Sequence, residues 1–275
     1  MSSLAIGLTL LAATLQASWN AILRGGIDRL WSITIMSLST IVVTVPLAIA
    51  LPLPLPASWP YIVSSACLQI GYCVFLVSAY RHGELSQVFP VVRGSVPVLV
   101  TLGGLLFAHQ HPRPLALLGI ALVASGIISL AVGKERTQTK SVVLALGAGL
   151  FIASYVTIDG LGVRVAGDSR VYPTWIFLLD GTLMPITFMV LRGRLTIDVR
   201  CSETWKATAA GFVSLISYAA FVTALSRGPI GPLSALRETS VVFAALIGWL
   251  FLGEPLTARR AGACAVVTLG AYLLG

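Results

Sequence analysis

The sequence predicts an all-α integral membrane protein: ten transmembrane helices in two inverted five-helix repeats. Three observations carry that expectation. The 275 residues are 57% hydrophobic and only 10% charged, where a soluble chain carries about a quarter charged residues. The apolar residues fall into ten runs of membrane-spanning length. The basic residues gather in alternate connections between those runs.

Composition comes first. A soluble fold of this length keeps a large polar shell, because surface-to-volume scaling leaves much of its surface in water. Here lipid must take that role. The net charge is +8, but the basic residues lie between apolar runs and form no reading face. That arrangement fits membrane topology and argues against nucleic-acid binding. Cys67, Cys73, Cys201 and Cys264 include no CxxC spacing, and read mainly as small apolar membrane residues. The first run lacks a basic leader and contains Gln16 and Asn20, so it reads as a retained first helix and not a cleaved signal.

A helix crossing the hydrocarbon core needs about 20 mostly apolar residues. The runs are 3–23, 31–51, 60–80, 86–108, 114–132, 141–162, 171–191, 205–226, 231–252 and 257–274. Pro52, Pro54 and Pro56 punctuate one connection, and a charged break covers 133–140. The expected organisation is therefore a first repeat at 1–132, a linker at 133–140 and a second repeat at 141–275. The runs are too long and too continuously apolar for barrel strands, which alternate over about 10 residues.

The halves resemble each other. Ala17-Ser18-Trp19-Asn20-Ala21-Ile22 has a counterpart in Ala153-Ser154-Tyr155-Val156-Thr157-Ile158. Trp31 matches Trp175, and Gly83 precedes Arg93 much as Gly228 precedes Arg237. Arg93 to Gly126 and Arg237 to Gly270 span equal distances in the chain. Several matches in one order indicate duplication. An odd number of spans per copy makes the second copy enter from the opposite side, the layout of many secondary transporters, with the solute near the midplane.

The chain resembles the EamA-type branch of the drug/metabolite transporter superfamily over nearly its whole length. The motifs that carry this are Ser86-Gln-Val-Phe-Pro90-Val-Val-Arg93-Gly94-Ser-Val-Pro97, Leu236-Arg237-Glu238-Thr239-Ser240-Val-Val, Leu252-Gly253-Glu254 and Trp19-Asn20. The resemblance implies ten helices in two inverted repeats, no ATP-binding part, and movement of small metabolites. It names no substrate. The first-half counterpart of Gly253-Glu254 reads Phe107-Ala108-His109-Gln110, without the acid. Related small multidrug exporters are expected to use a glutamate on the first helix, where this chain has only Gln16 and Asn20.

Charge at the bilayer centre is costly, so each ionisable residue inside a run faces a cavity, finds a partner or lies near an edge. Arg93 lies about 12 Å into its run at 1.5 Å per residue. Arg237 and Glu238 are at a comparable depth in the second half. They read as a candidate solute site, with an ion-pair network between helices as the structural alternative. Asp180, midway along its run, could pair with an arginine, carry a proton, or cap a helix kinked at Gly181 and Pro185. Asp159 reads as an interfacial residue. Gln16, Trp19 and Asn20 share one helix face; so do Gln69, Tyr72, Leu76 and Tyr80, and likewise Ser214, Tyr218, Phe221 and Leu225. With Tyr155, these faces offer hydrogen bonds and aromatic walls to a solute; helix packing is the alternative, and for Tyr80 and Trp31 the interfacial aromatic belt. Pro90 and Pro97 are expected to interrupt the fourth run, while Pro229 and Pro232 mark the entrance to the ninth.

Walker A, GxSxG and HExxH motifs are absent from the sequence, and His82, His109 and His111 lack metal-ligand spacing. The expectation is a secondary transporter of a small polar metabolite, an amino-acid-like zwitterion or small organic anion, working by alternating access. No cofactor, metal or nucleic acid is expected; the partners are the solute and the lipid bilayer. A membrane-embedded enzyme or a non-transporting receptor or scaffold is the alternative.

Orientation follows from twelve basic residues in the odd-numbered connections against four in the even-numbered ones, Arg113, Arg164, Arg170 and Arg227. The positive-inside rule then places the odd connections in the cytoplasm of an inner-membrane protein, with both termini outside. A reporter active only in the cytoplasm should be active when fused after Lys140 and silent at the C-terminus. The reverse pattern would invert this topology.

Overall fold

The computed structural model describes residues 1–23, 28–80, 85–131 and 139–275, the side chains of 77, 80, 85–87 and 252 excepted. Arg24, Arg81, His82, Gly83, Lys134 and Arg136, which enter the charge and repeat readings, lie outside the described residues, as do 133–138 of the expected linker and the side chains of Tyr80, Ser86 and Gln87. Among the described residues the regular structure is all helical, with no strand. The helices are α1 (Ser3–Ile22), α2 (Arg29–Ala50), α3 (Trp59–Tyr80), α4 (Leu85–Phe107), α5 (Pro114–Ser129) and α6 (Thr139–Val165). They continue with α7 (Val171–Arg192), α8 (Ser202–Leu225), α9 (Ile230–Arg237), α10 (Ser240–Leu252) and α11 (Ala258–Leu274). Thr139 and Lys140, expected in the linker, begin α6.

The run expected at 231–252 is thus split into α9 and α10. Taken as one, it belongs with seven other segments long and apolar enough to cross a membrane. The remaining two, α5 and α11, have 16 and 17 residues. The fourth run departs from expectation: α4 is continuous through both Pro90 and Pro97. The Thr101 hydroxyl donates to the Pro97 carbonyl at 2.7 Å, and side chains of this kind help proline-containing helices stay intact in lipid. The break lies in the ninth run instead.

Local chemistry sets several helix ends. Ser2 accepts from the Ala5 amide, Asp28 from that of Trp31, and Thr257 from that of Arg260; each satisfies a donor orphaned at a helix N-terminus. Asp28 also meets Arg192 at 3.6 Å, joining the start of α2 to the end of α7. The Trp31 indole donates to the Thr196 carbonyl at 2.9 Å.

Packing turns the usual size order around. Helix α1 buries Ala5, Ala12, Ala13 and Ala17 and exposes Leu4 and Leu11. Where lipid is the outer solvent, small residues belong at helix contacts and large apolar ones can face out. The main helix pairings are α3 with α6, α1 with α8, α2 with α7 and α5 with α11. Glycines allow the closest of these approaches. A Cβ on Gly119 would lie 2.8 Å from the Gly270 carbonyl, and one on Gly270 would lie 2.7 Å from that of Gly119. Gly181 and Gly211 bring α7 and α8 against the α2 backbone in the same way.

The two halves share a detail that composition could not reveal. The Gln110 amide bonds back to the Gly104 carbonyl, and the Glu254 amide to that of Gly248, both at 3.0 Å. These are helix C-terminal closures that need a left-handed residue. Gly253 supplies it in one half (φ 66°) and His109 in the other (φ 49°). All three pairs are separated by the same chain distance as Arg93 and Arg237. The position that lacks the acid in the first half therefore has the same backbone role.

Gly270→Val should force α5 and α11 apart and destabilise the protein by about 1–3 kcal/mol, the usual range for overpacking. Thermal denaturation in detergent measures it; a variant as stable as the wild type would show that this contact is not close.

Candidate solute-binding site

The break between α9 and α10 organises the polar interior. Through it the backbone changes from four-residue to three-residue spacing. Glu238 and Thr239 bond back to Ala235 and Leu236, and Val241 and Val242 bond back to Glu238 and Thr239. The Thr239 hydroxyl takes the Leu236 carbonyl at 2.7 Å. Tight turns of this kind inside a helix re-aim side chains and recur at functional sites. Here they present Arg237 and Glu238 inside the bundle. Pro229 caps α9, and Pro232 lies in its first turn, where its missing N–H costs little. The Gln110 side-chain oxygen accepts from the Ile230 amide at 2.8 Å, so the first half of the chain caps this half-helix.

Helix α4 packs against α9 and brings Arg93 to the break. Arg93 Nη1 lies 3.2 Å from Glu238 Oε1, with side chains 12% and 2% exposed. The buried acid thus pairs across the two halves and not with its own neighbour. Arg237 is held by aromatic faces: its Cζ lies 4.3 Å from the Phe221 ring centroid and 5.1 Å from that of Tyr218. Such contacts favour a desolvated cation. Among the described residues no acid forms an ion pair with Arg237.

Among the described residues, three buried polar atoms near the break have no hydrogen-bond partner: Arg237 Nε, Glu238 Oε2 and Gln16 Oε1. Gln16 reaches the break from α1, donating to Ser240 Oγ at 3.3 Å. Unsatisfied buried groups are uncommon and each costs about 1–3 kcal/mol.

Aromatic rings form a continuous wall beside these charges. Tyr72 and Tyr155 have centroids 6.3 Å apart, Tyr155 and Tyr218 6.4 Å, and Phe177 and Tyr218 5.8 Å. Tyr155 lies within electrostatic reach of both arginines. Six of the residues expected at the site therefore come together: Arg93, Arg237, Glu238, Tyr72, Tyr155 and Tyr218.

Among the described residues, none of the other four hydrogen-bonds or pairs with Arg93, Arg237 or Glu238. Asp180 pairs with no arginine among the described residues; it accepts from Ser37 on α2 at 2.7 Å. Its helix, α7, runs unbroken through Pro185. Asn20 donates to the Gln16 carbonyl of its own helix at 2.8 Å, and Trp19 is half-buried beside it. On this helix Gln16 makes the contact to the break. Gln69 donates to Ser65 at 3.3 Å.

Asp159, read from the sequence as interfacial, is fully buried within the bundle. Tyr172 donates to its Oδ1 at 3.1 Å and Tyr218 donates to its Oδ2, and Ser65 is within hydrogen-bond reach. Its spacing from Tyr155, four residues along one helix, was the available signal. Gly162 makes room for its partner: a Cβ there would fall 2.6 Å from Tyr172 Cζ.

The model of the EamA-like transporter family matches residues 139–275. The EamA-like segment starts at the first residue of α6 and holds Asp159, Tyr218, Arg237 and Glu238, while Arg93, Tyr72 and Gln16 come from the preceding half. A solved crystal structure matches 99% of this chain over 96% of its own, with a TM-score of 0.81 and 18% sequence identity. At that identity the likeness is one of fold. No curated protein matches the chain in sequence.

The two arginines should respond differently to substitution. Arg93→Gln strands the buried Glu238 charge and should cost about 3–5 kcal/mol. Arg237→Gln removes a cation with no acidic partner and should cost clearly less. Equal losses in denaturation measurements would mean that Arg237 is as deeply paired as Arg93.

Proposed function

We propose that the protein is a secondary transporter whose two halves form inverted repeats, and that it binds an amino-acid-like zwitterion at the α9–α10 break. The observation that carries this reading is the pair of neighbours Arg237 and Glu238. Among the described residues, one is a half-buried cation without an acidic partner; the other is a buried acid with one oxygen unpaired. A planar guanidinium matches a carboxylate. An ammonium group could satisfy Glu238 Oε2 and Gln16 Oε1 together. The tyrosine wall suits the apolar part of such a solute.

The helix pairings support the inverted arrangement. Exchanging the first five runs for the last five turns the α3–α6 contact into α8–α1 and leaves α2–α7 and α5–α11 unchanged. The shared closures at His109 and Gly253 point the same way. Alternating access then amounts to rocking of the two halves around the break, with no covalent step. The family is one of membrane transporters. The setting in this reading is the cell inner membrane, with both termini on the non-cytoplasmic side.

A thermal-shift screen of small metabolites on purified protein should show stabilisation by neutral amino acids, since a ligand of the folded state stabilises it by mass action. Counterflow in proteoliposomes should then move the same compounds. Folded Arg237→Gln should bind them at least tenfold more weakly, a loss of about 1.4 kcal/mol or more. Unchanged affinity in a folded variant would remove this site.

A further inference from the structure

We propose that Asp159 sets the charge selectivity of the site, so that it prefers a net-neutral zwitterion to a net anion; this rests on Arg237 and Glu238 being the solute contacts. Asp159 and Arg237 meet the same side chain. The Tyr218 hydroxyl donates to Asp159, and the Tyr218 ring lies under the Arg237 cation. Asp159 is also within electrostatic reach of Arg237. It is fully buried, and its three neighbours Tyr172, Tyr218 and Ser65 are all neutral hydrogen-bond donors. Among the described residues no cation forms an ion pair with it.

The surrounding charges are otherwise committed. Arg93 is bound to Glu238. Arg164, farther along α6, donates to the Leu225 and Gly228 carbonyls. Asp180 is bound to Ser37 on α2. The constellation at the break thus contains two cations, Arg93 and Arg237, and two anions, Glu238 and Asp159. A bound zwitterion extends an alternating series: Arg93, Glu238, solute ammonium, solute carboxylate, Arg237, Asp159. An anion without the ammonium adds a net negative charge where low polarisability leaves it poorly screened. Removing the Asp159 charge leaves the site one unit positive, and the preference should move toward anions. Asp159 touches no solute in this arrangement. It acts through Tyr218 and Arg237.

L-Alanine and L-lactate form a suitable probe pair, nearly equal in shape and differing by one unit of net charge at neutral pH. Wild-type protein should bind alanine more tightly. Asp159→Asn, which keeps the side-chain shape, should raise the lactate-to-alanine affinity ratio at least tenfold, about 1.4 kcal/mol. If that variant does not fold, the double variant Asp159→Leu with Tyr172→Phe removes the charge together with one of its donors, and should shift the ratio the same way. A folded variant that loses affinity for both probes equally overturns the inference, as a purely structural role would produce that result. Failure of both variants to fold also overturns it, by assigning Asp159 to the scaffold. A wild type that already prefers lactate overturns the neutral selection but leaves Arg237 as a carboxylate contact. A wild type that binds neither probe overturns the solute-site reading itself.

Discussion

The Arg93–Glu238 ion pair is the constraint around which the interior is arranged. Two charges inside an apolar bundle cost far less when each neutralises the other. Their partnership requires α4 from the first half to lie against the α9–α10 break from the second. It also takes Glu238 away from Arg237, its neighbour in sequence. Arg237 is then left to aromatic faces, and the rings that hold it, Tyr218 and Phe221, belong to α8. One electrostatic requirement thus ties together helices α4, α8, α9 and α10.

The break gives that arrangement its chemistry. A regular helix satisfies its own backbone and presents side chains at fixed angles. Three-residue spacing at Glu238 and Thr239 alters those angles and leaves polar atoms without partners. The cost is local, because the flanking helices are tightly packed: Gly231 lies so close to Thr101 that a Cβ would come within 2.6 Å of its Oγ1. Gln110, from the first half of the chain, caps the half-helix. A break supported by neighbours on both sides can persist in lipid and line a cavity, as in transporters built on discontinuous helices.

The buried acid Asp159 forms a second polar centre, linked to the first through Tyr218. Tyrosine suits this position because its hydroxyl and its ring face can serve different partners at once. The hydroxyl serves Asp159 and the ring serves Arg237. Glycines at 160 and 162 let Ile230 and Tyr172 come close to α6, which is how an acid read as interfacial comes to be sealed within the bundle.

Much of this was written in the sequence. The low charge content and the length of the apolar runs determined a helical membrane protein, because lipid demands long segments that satisfy their own backbone. The equal spacing from Arg93 to Gly126 and from Arg237 to Gly270 is a sequence sign that the halves correspond. Spacing identified the faces that carry Tyr72 and Tyr218, and the match to Trp19 singled out Tyr155. Only the tertiary structure decided which proline-containing run breaks, since Pro90 and Pro97 are accommodated within α4 while the ninth run opens at Glu238 and Thr239. Only it decided that Glu238 belongs to Arg93, that Gln16 and not Asn20 reaches the break, and that Asp159 is buried while Asp180 turns to Ser37. The reason is physical: periodicity along one helix fixes which side chains share a face, but partners on other helices are chosen by packing, and a buried charge takes whichever donor that packing delivers.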